Sequence, residues 1–464
     1  MPEPRTLNPA GADITQAIIK SYNGSKQEDL AGRISKWEIT QSMDSVSYNG
    51  VLTVFDTTGL LEKFPLRAEE TLDLEIIGFD LDTKLELKCR IYKIDNIIPS
   101  ESNNGTFFKI HFVSDTTFKA SIRKIVRSYQ SSMSGIAKEV FDTYFTRIGT
   151  ADYLDPDQRS RTLSYATARH KLIDNDKRSV FIQPAGNIGK IVIPRMTPTE
   201  AMVFLAGRSY SADTKSQTFR FFETLENFYY CTDEFFIQEA KAKNSILTFF
   251  YGPAASADPT DPDAQINRFE ELQIVSRGID AATDIFSGAY RNKVVQVDLV
   301  RGTVDHYKFN YDTDAQYIDM SGNIRNLETN PHTPEFRRFA FTEENARTFI
   351  TFKDYSGAGD IPSSLHTDRY SNQIISNRVS YFHHLNSTIL AASTKGRLDL
   401  RPGMIINLDI KTLSANDNES GQLADTIAGK YMIKSTVHSR GEDNTLTTSL
   451  VLMKFDWSGG PQDG

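Results

Sequence analysis

Leu72-Asp73-Leu74-Glu75-Ile76 and Leu85-Glu86-Leu87-Lys88-Cys89-Arg90-Ile91 decide the fold. Apolar and charged residues alternate strictly in both stretches. A period of two sends one face into a core and the other to water or a polar partner. Upstream, Ile34-Ser35-Lys36-Trp37-Glu38-Ile39-Thr40 and Val51-Leu52-Thr53-Val54-Phe55 are β-branched and aromatic runs. Asn49-Gly50 lies between them and supplies the positive φ angles of a tight turn. Downstream of Asn104-Gly105, Phe108, Ile110 and Phe112 alternate with Lys109 and His111. Residues 13–21 read as a strand or a short helix. Together, 12–115 read as one antiparallel β unit, closed or nearly closed, and 1–115 as a first β-barrel domain.

The period then changes. Ile136, Val140 and Tyr144, with Ala137 and Phe141, repeat at i and i+4, which predicts an amphipathic helix over 132–147. Thr197-Pro198-Thr199-Glu200 is a capping box with proline at the first helical position, and Gly207 is placed to end that helix. Residues 116–212 form an α/β connector. Strands return at Thr218–Phe222, Phe228–Cys231 and Ile246–Tyr251, before a Pro- and Asp-rich loop at 252–264.

Within a β-rich insert (253–369), strands are expected near 293–299 and 303–309, split by Arg301-Gly302, and 312–345 reads as an extended arm. A short helix near 380–392 leads to Leu398–Leu400, then to Arg401-Pro402-Gly403, where Pro-Gly suits the centre of a type II turn. Strands follow at 404–410, 430–437 and 445–454, with an acidic loop at 413–426. Arg90–Ile94, a turn and Gly105–Val113 parallel Lys430–Lys434, a turn and Thr445–Lys454, a weak internal duplication. Residues 213–252 and 370–464 then form a second, discontinuous barrel. The fold class is mainly β (α+β): two antiparallel β-barrel modules, an α/β connector and a β-rich insert.

Composition narrows the function classes. The 464 residues are 39% hydrophobic and 24% charged, with a net charge of −8, and mean hydropathy is −0.40. That balance fits globular domains and disfavours a generic nucleic-acid binder, which needs a basic field. No apolar run reaches the roughly 18 residues of a membrane helix, and Met1-Pro2-Glu3-Pro4-Arg5 does not open a signal peptide. A soluble chain made inside a cell is expected. Only Cys89 and Cys231 occur, without a CxxC, so disulfide and cysteine-zinc scaffolds are excluded.

No catalytic, cofactor or metal site is assigned. The eight histidines (His111, His170, His306, His332, His366, His383, His384 and His438) form no metal-ligand spacing, and the adjacent His383-His384 point to different sides of any regular element. Gly186-Asn187-Ile188-Gly189-Lys190 fails as a P-loop, with Pro184 where glycine is needed and Ile191 where Ser or Thr is needed. Asp258, Asp261 and Asp263 fit a solvated linker better than a cation site, given Pro259 and Pro262. There is no G-x-S-x-G elbow, neither cysteine carries a nucleophile motif, and no particular carboxylate pair stands out for glycoside cleavage.

In this order of modules the chain resembles the central baseplate hub proteins of T4-like contractile-tailed bacteriophages. The resemblance is carried at the start by Gly32-Arg33-Ile34-Ser35-Lys36-Trp37-Glu38-Ile39-Thr40-Gln41-Ser42-Met43-Asp44, Tyr48-Asn49-Gly50-Val51-Leu52-Thr53-Val54-Phe55-Asp56 and Leu87-Lys88-Cys89-Arg90-Ile91-Tyr92. At the end it rests on Leu400-Arg401-Pro402-Gly403-Met404-Ile405-Ile406 and Gly429-Lys430-Tyr431-Met432-Ile433 through Val437-His438. Ser287-Gly288-Ala289-Tyr290-Arg291-Asn292 is similar to a segment of the hub's insert. Residues 312–370 have no counterpart.

The resemblance implies a homotrimer whose two tube-like barrels per chain make a ring of pseudo-sixfold symmetry. One side of that ring would dock the hexameric tail tube and the other a trimeric cell-puncturing spike, with neighbouring baseplate wedge or hub proteins around it. DNA would pass through the lumen without sequence-specific binding. An acidic chain suits such a lumen. The place would be the virion's tail baseplate, after synthesis in the host cytoplasm, with no membrane insertion. With the sequence stopping soon after Trp457, the spike is expected as a separate chain. Interface candidates are the outward strand faces and the loops near Asn49-Gly50, 413–426 and 440–444. The hub of a phage-like injection particle (a tailocin) implies the same chemistry without a genome, and gene neighbourhood separates the two. A tail-associated cell-wall hydrolase or a surface adhesin of β modules fits less well, for want of a catalytic motif and an export signal respectively.

Overall fold

The computed structural model describes residues 11–21, 24–64, 66–78, 84–99, 105–145, 168–169, 178–186, 188–213, 216–243, 246–252, 267–277, 281–299, 301–310, 316–318, 324–326, 347–352, 376–382, 388–410, 427–441 and 444–454. The acidic loop 413–426, the aspartates of 258–263, His383-His384 and most of the expected arm lie outside them. The chain is mainly β. It opens with β1 (Ala12–Lys20), the short β2 (Gln27–Asp29), β3 (Ile34–Ser42), β4 (Asn49–Asp56), helix α1 (Leu60–Lys63), β5 (Thr71–Gly78), β6 (Lys84–Pro99) and β7 (Thr106–Ser114). The alternation of 72–76, 85–91 and 108–112 is realised: the apolar member of each pair is buried in one core with Trp37, Leu52 and Val54.

Asn49-Gly50 is not the turn. Both residues open β4, and the β3–β4 connection is 43–48. Gly50 is required by close approach rather than by φ, because a Cβ there would sit 2.3 Å from the Phe112 ring and 2.7 Å from the Glu38 carbonyl oxygen. Past Ile94, β6 runs on to Pro99, which pairs with Thr106 at the start of β7.

The connector packs α2 (Asp115–Ser121), β8 (Ile125–Ser132), α3 (Met133–Tyr144), β9 (Ala168–Arg169), β10 (Ser179–Ile182), β11 (Ile188–Met196) and α4 (Pro198–Ala206). In α3 the predicted stripe is buried at Ile136, Ala137, Val140 and Phe141 and half-buried at Tyr144, and Ser132 caps the helix start by accepting from the Gly135 N–H at 3.0 Å. The capping box of α4 is present in both directions, with Thr197 Oγ1 accepting from Glu200 N–H and Glu200 Oε2 from Thr197 N–H. β12 (Arg220–Glu223) and β13 (Asn227–Cys231) follow, and β13 pairs in parallel with β10. Residues 220–231 therefore sit in the connector's sheet, not in the second barrel where 213–252 was expected. Their alternation is lost to aromatics buried on both faces, Phe221, Phe222, Tyr229 and Tyr230.

Helix α5 (Asp233–Lys243), absent from the sequence reading, leads to β14 (Leu247–Tyr251) and β15 (Glu271–Arg277). The insert then holds α6 (Ala281–Ser287), β16 (Arg291–Asp298), β17 (Thr303–Asn310), a small hairpin of β18 (Gln316–Ile318) and β19 (Ile324–Asn326), and β20 (Arg347–Phe352). Arg301-Gly302 does make the β16–β17 turn, with Gly302 at φ 67°. β21 (Thr388–Lys395), β22 (Ile405–Ile410), β23 (Gly429–Arg440) and β24 (Leu446–Lys454) complete the chain. The helix expected at 380–392 occupies 376–382, and Thr388 onward is strand, with Leu390, Ala392 and Thr394 facing inward. Arg401–Met404 is the expected Pro-Gly turn, with Gly403 at φ 90° and Met404 N–H donating to the Arg401 carbonyl at 3.3 Å.

Strand pairing makes two closed circuits that share one hairpin. The first runs β23–β3–β4–β7–β6–β5–β1. The bridge Gly11↔Thr445 returns it to β24, which pairs β23. The second runs β14–β22–β23–β24–β21–β15 and closes through the bridge Phe250↔Arg268. The first barrel thus borrows Ser435–Leu446 from the far end of the chain and is not contained in 1–115. The second borrows β15 from the expected insert, and its β14–β22 pair is parallel. The far half of β23 pairs β3, its near half pairs β22, and Leu446 and Leu452 of β24 enter the two different cores.

Candidate interface and the junctions behind it

Where the two barrels meet, the shared hairpin buries polar groups that hydrogen-bond one another. Gln41 on β3 donates through Nε2 to Thr436 Oγ1 at 3.1 Å and accepts from the Leu225 N–H at 2.9 Å through Oε1. His438 Nδ1 lies 3.0 Å from Thr448 Oγ1, and its Nε2 lies 3.1 Å from the Leu400 carbonyl. Thr448 donates to the Arg397 carbonyl at 2.8 Å. Burial holds His438 down at about 4, so the imidazole is neutral at pH 7.

A second set of charges, mostly buried, ties the connector to the β3–β4 loop and, through the half-exposed Asp44, to the shared strand β23. Arg178 pairs with Glu223, which also accepts from Thr117, and the guanidinium lies over Phe228, 4.6 Å from the ring centroid. Arg220 pairs with Asp233 at 2.9 Å and with Asp44 of the β3–β4 loop, while Lys434 of β23 reaches Asp44 at 3.1 Å. Arg220 and Arg378 both approach the Phe382 ring, at 4.5 and 5.1 Å, and Arg378 donates to the carbonyls of Ala206, Gln217 and Phe219. The turn of helix at 376–382 is thereby tied to the connector. Burial pushes Asp233 up and lifts Glu234 to about 7, where Ser216 and Thr218 donate to its carboxyl.

These contacts account for two of the loops singled out by sequence. Beside Asn49-Gly50, the loop 43–48 is held by its own chain: Met43 and Tyr48 are buried, and Asp44 takes the two cations just named. In the 440–444 loop, Arg440 pairs with Asp13 at 3.3 Å and donates to Asn444 Oδ1 at 3.0 Å, next to the Gly11↔Thr445 bridge. The third loop, 413–426, is outside the described residues.

Unassigned surface lies elsewhere. The last eight residues of β6, Tyr92–Pro99, project past the end of β5. On the outward face Ile98 sits across from Phe107, whose ring meets Phe55 at 4.5 Å. Sequence reading missed this overhang because the alternation breaks after Ile91. The one local signal was Asn96, which takes φ 52° at a bulge. Burial raises the thiols of Cys89 and Cys231, the opposite of what a nucleophile needs. Among the described residues no group of three or more His, Cys, Asp or Glu is placed to hold a metal, and no helix is long and apolar enough to cross a membrane.

No protein-family model matches the chain, and no curated protein matches it. Solved structures do. A tail protein from Neisseria meningitidis MC58 aligns over 97% of this chain and 98% of its own, at 11% identity and a TM-score of 0.48. The 43 kDa tail protein of prophage MuSo2 from Shewanella oneidensis aligns over 96% and 100%, at 12% identity and 0.46. The prophage tail protein gp18 from Listeria monocytogenes EGD-e aligns over 95% and 94%, at 8% identity and 0.42. Identities this low and TM-scores under 0.5 leave function to be argued from the chain itself.

Proposed function

We propose that the chain is the structural hub of a phage tail baseplate. Three copies form a ring that joins a hexameric tail tube on one side to a trimeric cell-puncturing spike on the other. Neighbouring wedge or hub proteins surround the ring, and DNA leaves through its lumen. The observation that carries this reading is the pair of closed barrels sharing the β23–β24 hairpin. Two barrels fixed to each other by one continuous hairpin give each copy two comparable surfaces at a set spacing, and three copies then offer six to a sixfold tube. The sequence resemblance at 32–56 and 400–438 falls on the strands β3, β4, β22 and β23 that build this junction. The role is structural and non-enzymatic, and its place is the virion tail.

The test is reconstitution. Purified chain is mixed with assembled tail tube and, separately, with a trimeric cell-puncturing spike, and each mixture is sedimented. Co-sedimentation with both, at three chains per tube end, is expected. Binding to neither would overturn the hub reading.

A further inference from the structure

α5 opens on two buried acids, Asp233 and Glu234. Only the first has a cation. Arg220 of β12 takes Asp233 with two prongs, Nε to Oδ1 at 2.9 Å and Nη2 to Oδ2 at 3.3 Å. Its third nitrogen goes to Asp44 of the β3–β4 loop, which Lys434 of β23 also reaches. Arg378 spends its donors on the carbonyls of Ala206, Gln217 and Phe219. No cation pairs with Glu234 among the described residues. The hydroxyls of Ser216 and Thr218 donate to its Oε2, Thr218 at 2.9 Å. Tyr381, whose hydroxyl is buried, also faces this pair of acids: burial, and then charge on Glu234 and Asp233, push its phenol up.

A carboxyl shut away from water, beside a neighbour that has already taken the guanidinium, is stable as the neutral acid and costly as the anion. The same cluster is where the turn of helix at 376–382 is held. Arg378 fastens that segment to the connector through three carbonyls, and the Arg220 guanidinium lies over Phe382, 4.5 Å from the ring centroid. At the segment's other end the Ser376 carbonyl accepts from Asn292 Nδ2 of β16 at 3.3 Å. Residues 376–382 therefore link the insert's sheet to the connector, with Tyr381 set against Glu234.

We propose that Glu234 is a proton-operated latch: its neutral carboxyl lets 376–382 dock on the connector, and loss of the proton loosens that segment and, through Ser376, the tie between insert and connector. The inference goes beyond the hub reading and does not depend on it. Its direction follows from which state holds the proton more tightly. Docked, Glu234 titrates at about 7; with the segment away and water admitted, it returns toward the ordinary 4.5. Docking is therefore strongest below pH 4.5 and weakens progressively as pH rises to about 7. The charged and titratable neighbours are Asp233 on α5, Arg220 on β12, Arg378 and Tyr381 on 376–382, and Asp44 with Lys434 beyond Arg220. Asp233 and Asp44 are the other carboxyls of the cluster, so the test must separate Glu234 from them.

The experiment is hydrogen exchange of the full chain at a series of pH values from 5 to 8. Protection of the peptide covering 376–382, corrected for the intrinsic exchange rate at each pH, is read by mass spectrometry, with the β5–β6 hairpin as reference. In the wild type, protection of 376–382 is expected to fall by at least about tenfold across the series while the reference holds. Glu234→Gln, neutral at every pH, is expected to keep the acid-side protection throughout. Ser216→Ala removes a donor to the ionised carboxyl and is expected to move the midpoint of the profile to higher pH. Flat wild-type protection would overturn the latch. An equal fall in Glu234→Gln would overturn it too, by assigning the proton to another group such as Asp233 or Asp44. Should Glu234→Gln open 376–382 at every pH, the Ser216→Ala profile decides: a raised midpoint supports Glu234, and an unmoved one overturns it.

Discussion

Gly50 and His438 show what single positions do, one between the first barrel's own strands and the other on its borrowed hairpin. At Gly50 a methyl group has no room against Phe112 and Glu38, so Gly50→Ala should cost about 1–3 kcal/mol. Gly32→Ala, with open space around it, should stay within about 0.5 kcal/mol, both read by urea unfolding. The glycine was visible in sequence but its reason was not. Asn-Gly signals a hairpin turn when it lies between strands, whereas the need for a bare backbone under a phenylalanine 62 residues away leaves no local trace. His438 gives a pH dependence. Its folded value, about 4, lies below the ordinary 6.5, so the unfolded chain takes the proton first as pH falls. Its contribution is present above pH 6.5 and is lost progressively down to about pH 4. The stability margin of the wild type over His438→Asn should therefore shrink by about 1–3 kcal/mol between pH 7 and pH 4.5, and a margin constant with pH would contradict the assignment.

Elements were legible where one face is buried and the other wet. β5, the first half of β6 and β7 alternate cleanly because each is a barrel wall with one dry side. α4 was legible from its cap alone, and Thr197→Ala, which removes the hydroxyl that accepts from Glu200 N–H, should lower the urea unfolding free energy by about 1 kcal/mol. Other elements hid for physical reasons. β12 and β13 are buried on both faces, so nothing in their pattern told the connector's sheet from the barrel's. The second-barrel strand β15 follows directly on a Pro- and Asp-rich stretch and read as part of the insert. At 389–392, Ile-Leu-Ala-Ala suits a helix as well as a strand, and pairing with β24 and β15 decides the matter.

In the whole molecule, one hairpin serves two cores, and no local signal announces it because β3 and β23 lie nearly 400 residues apart. The consequence is coupling. Leu452→Ala, in the second barrel's core, should cost about 2–5 kcal/mol and lower the transition seen by Trp37 in the first barrel, with Trp457→Phe removing the other reporter. An unmoved Trp37 transition would mean that the barrels unfold independently. The two modules per chain were readable. The way the modules interlock was not, because barrel closure rests on the bridges at Gly11 and Phe250. The most direct measurement of the central claim is negative-stain imaging of the purified chain with mass photometry on the same sample, alone and with its spike. The account predicts threefold rings of about 157 kDa, three times 52.3 kDa. A 52.3 kDa monomer that stays monomeric when the spike is added would contradict it.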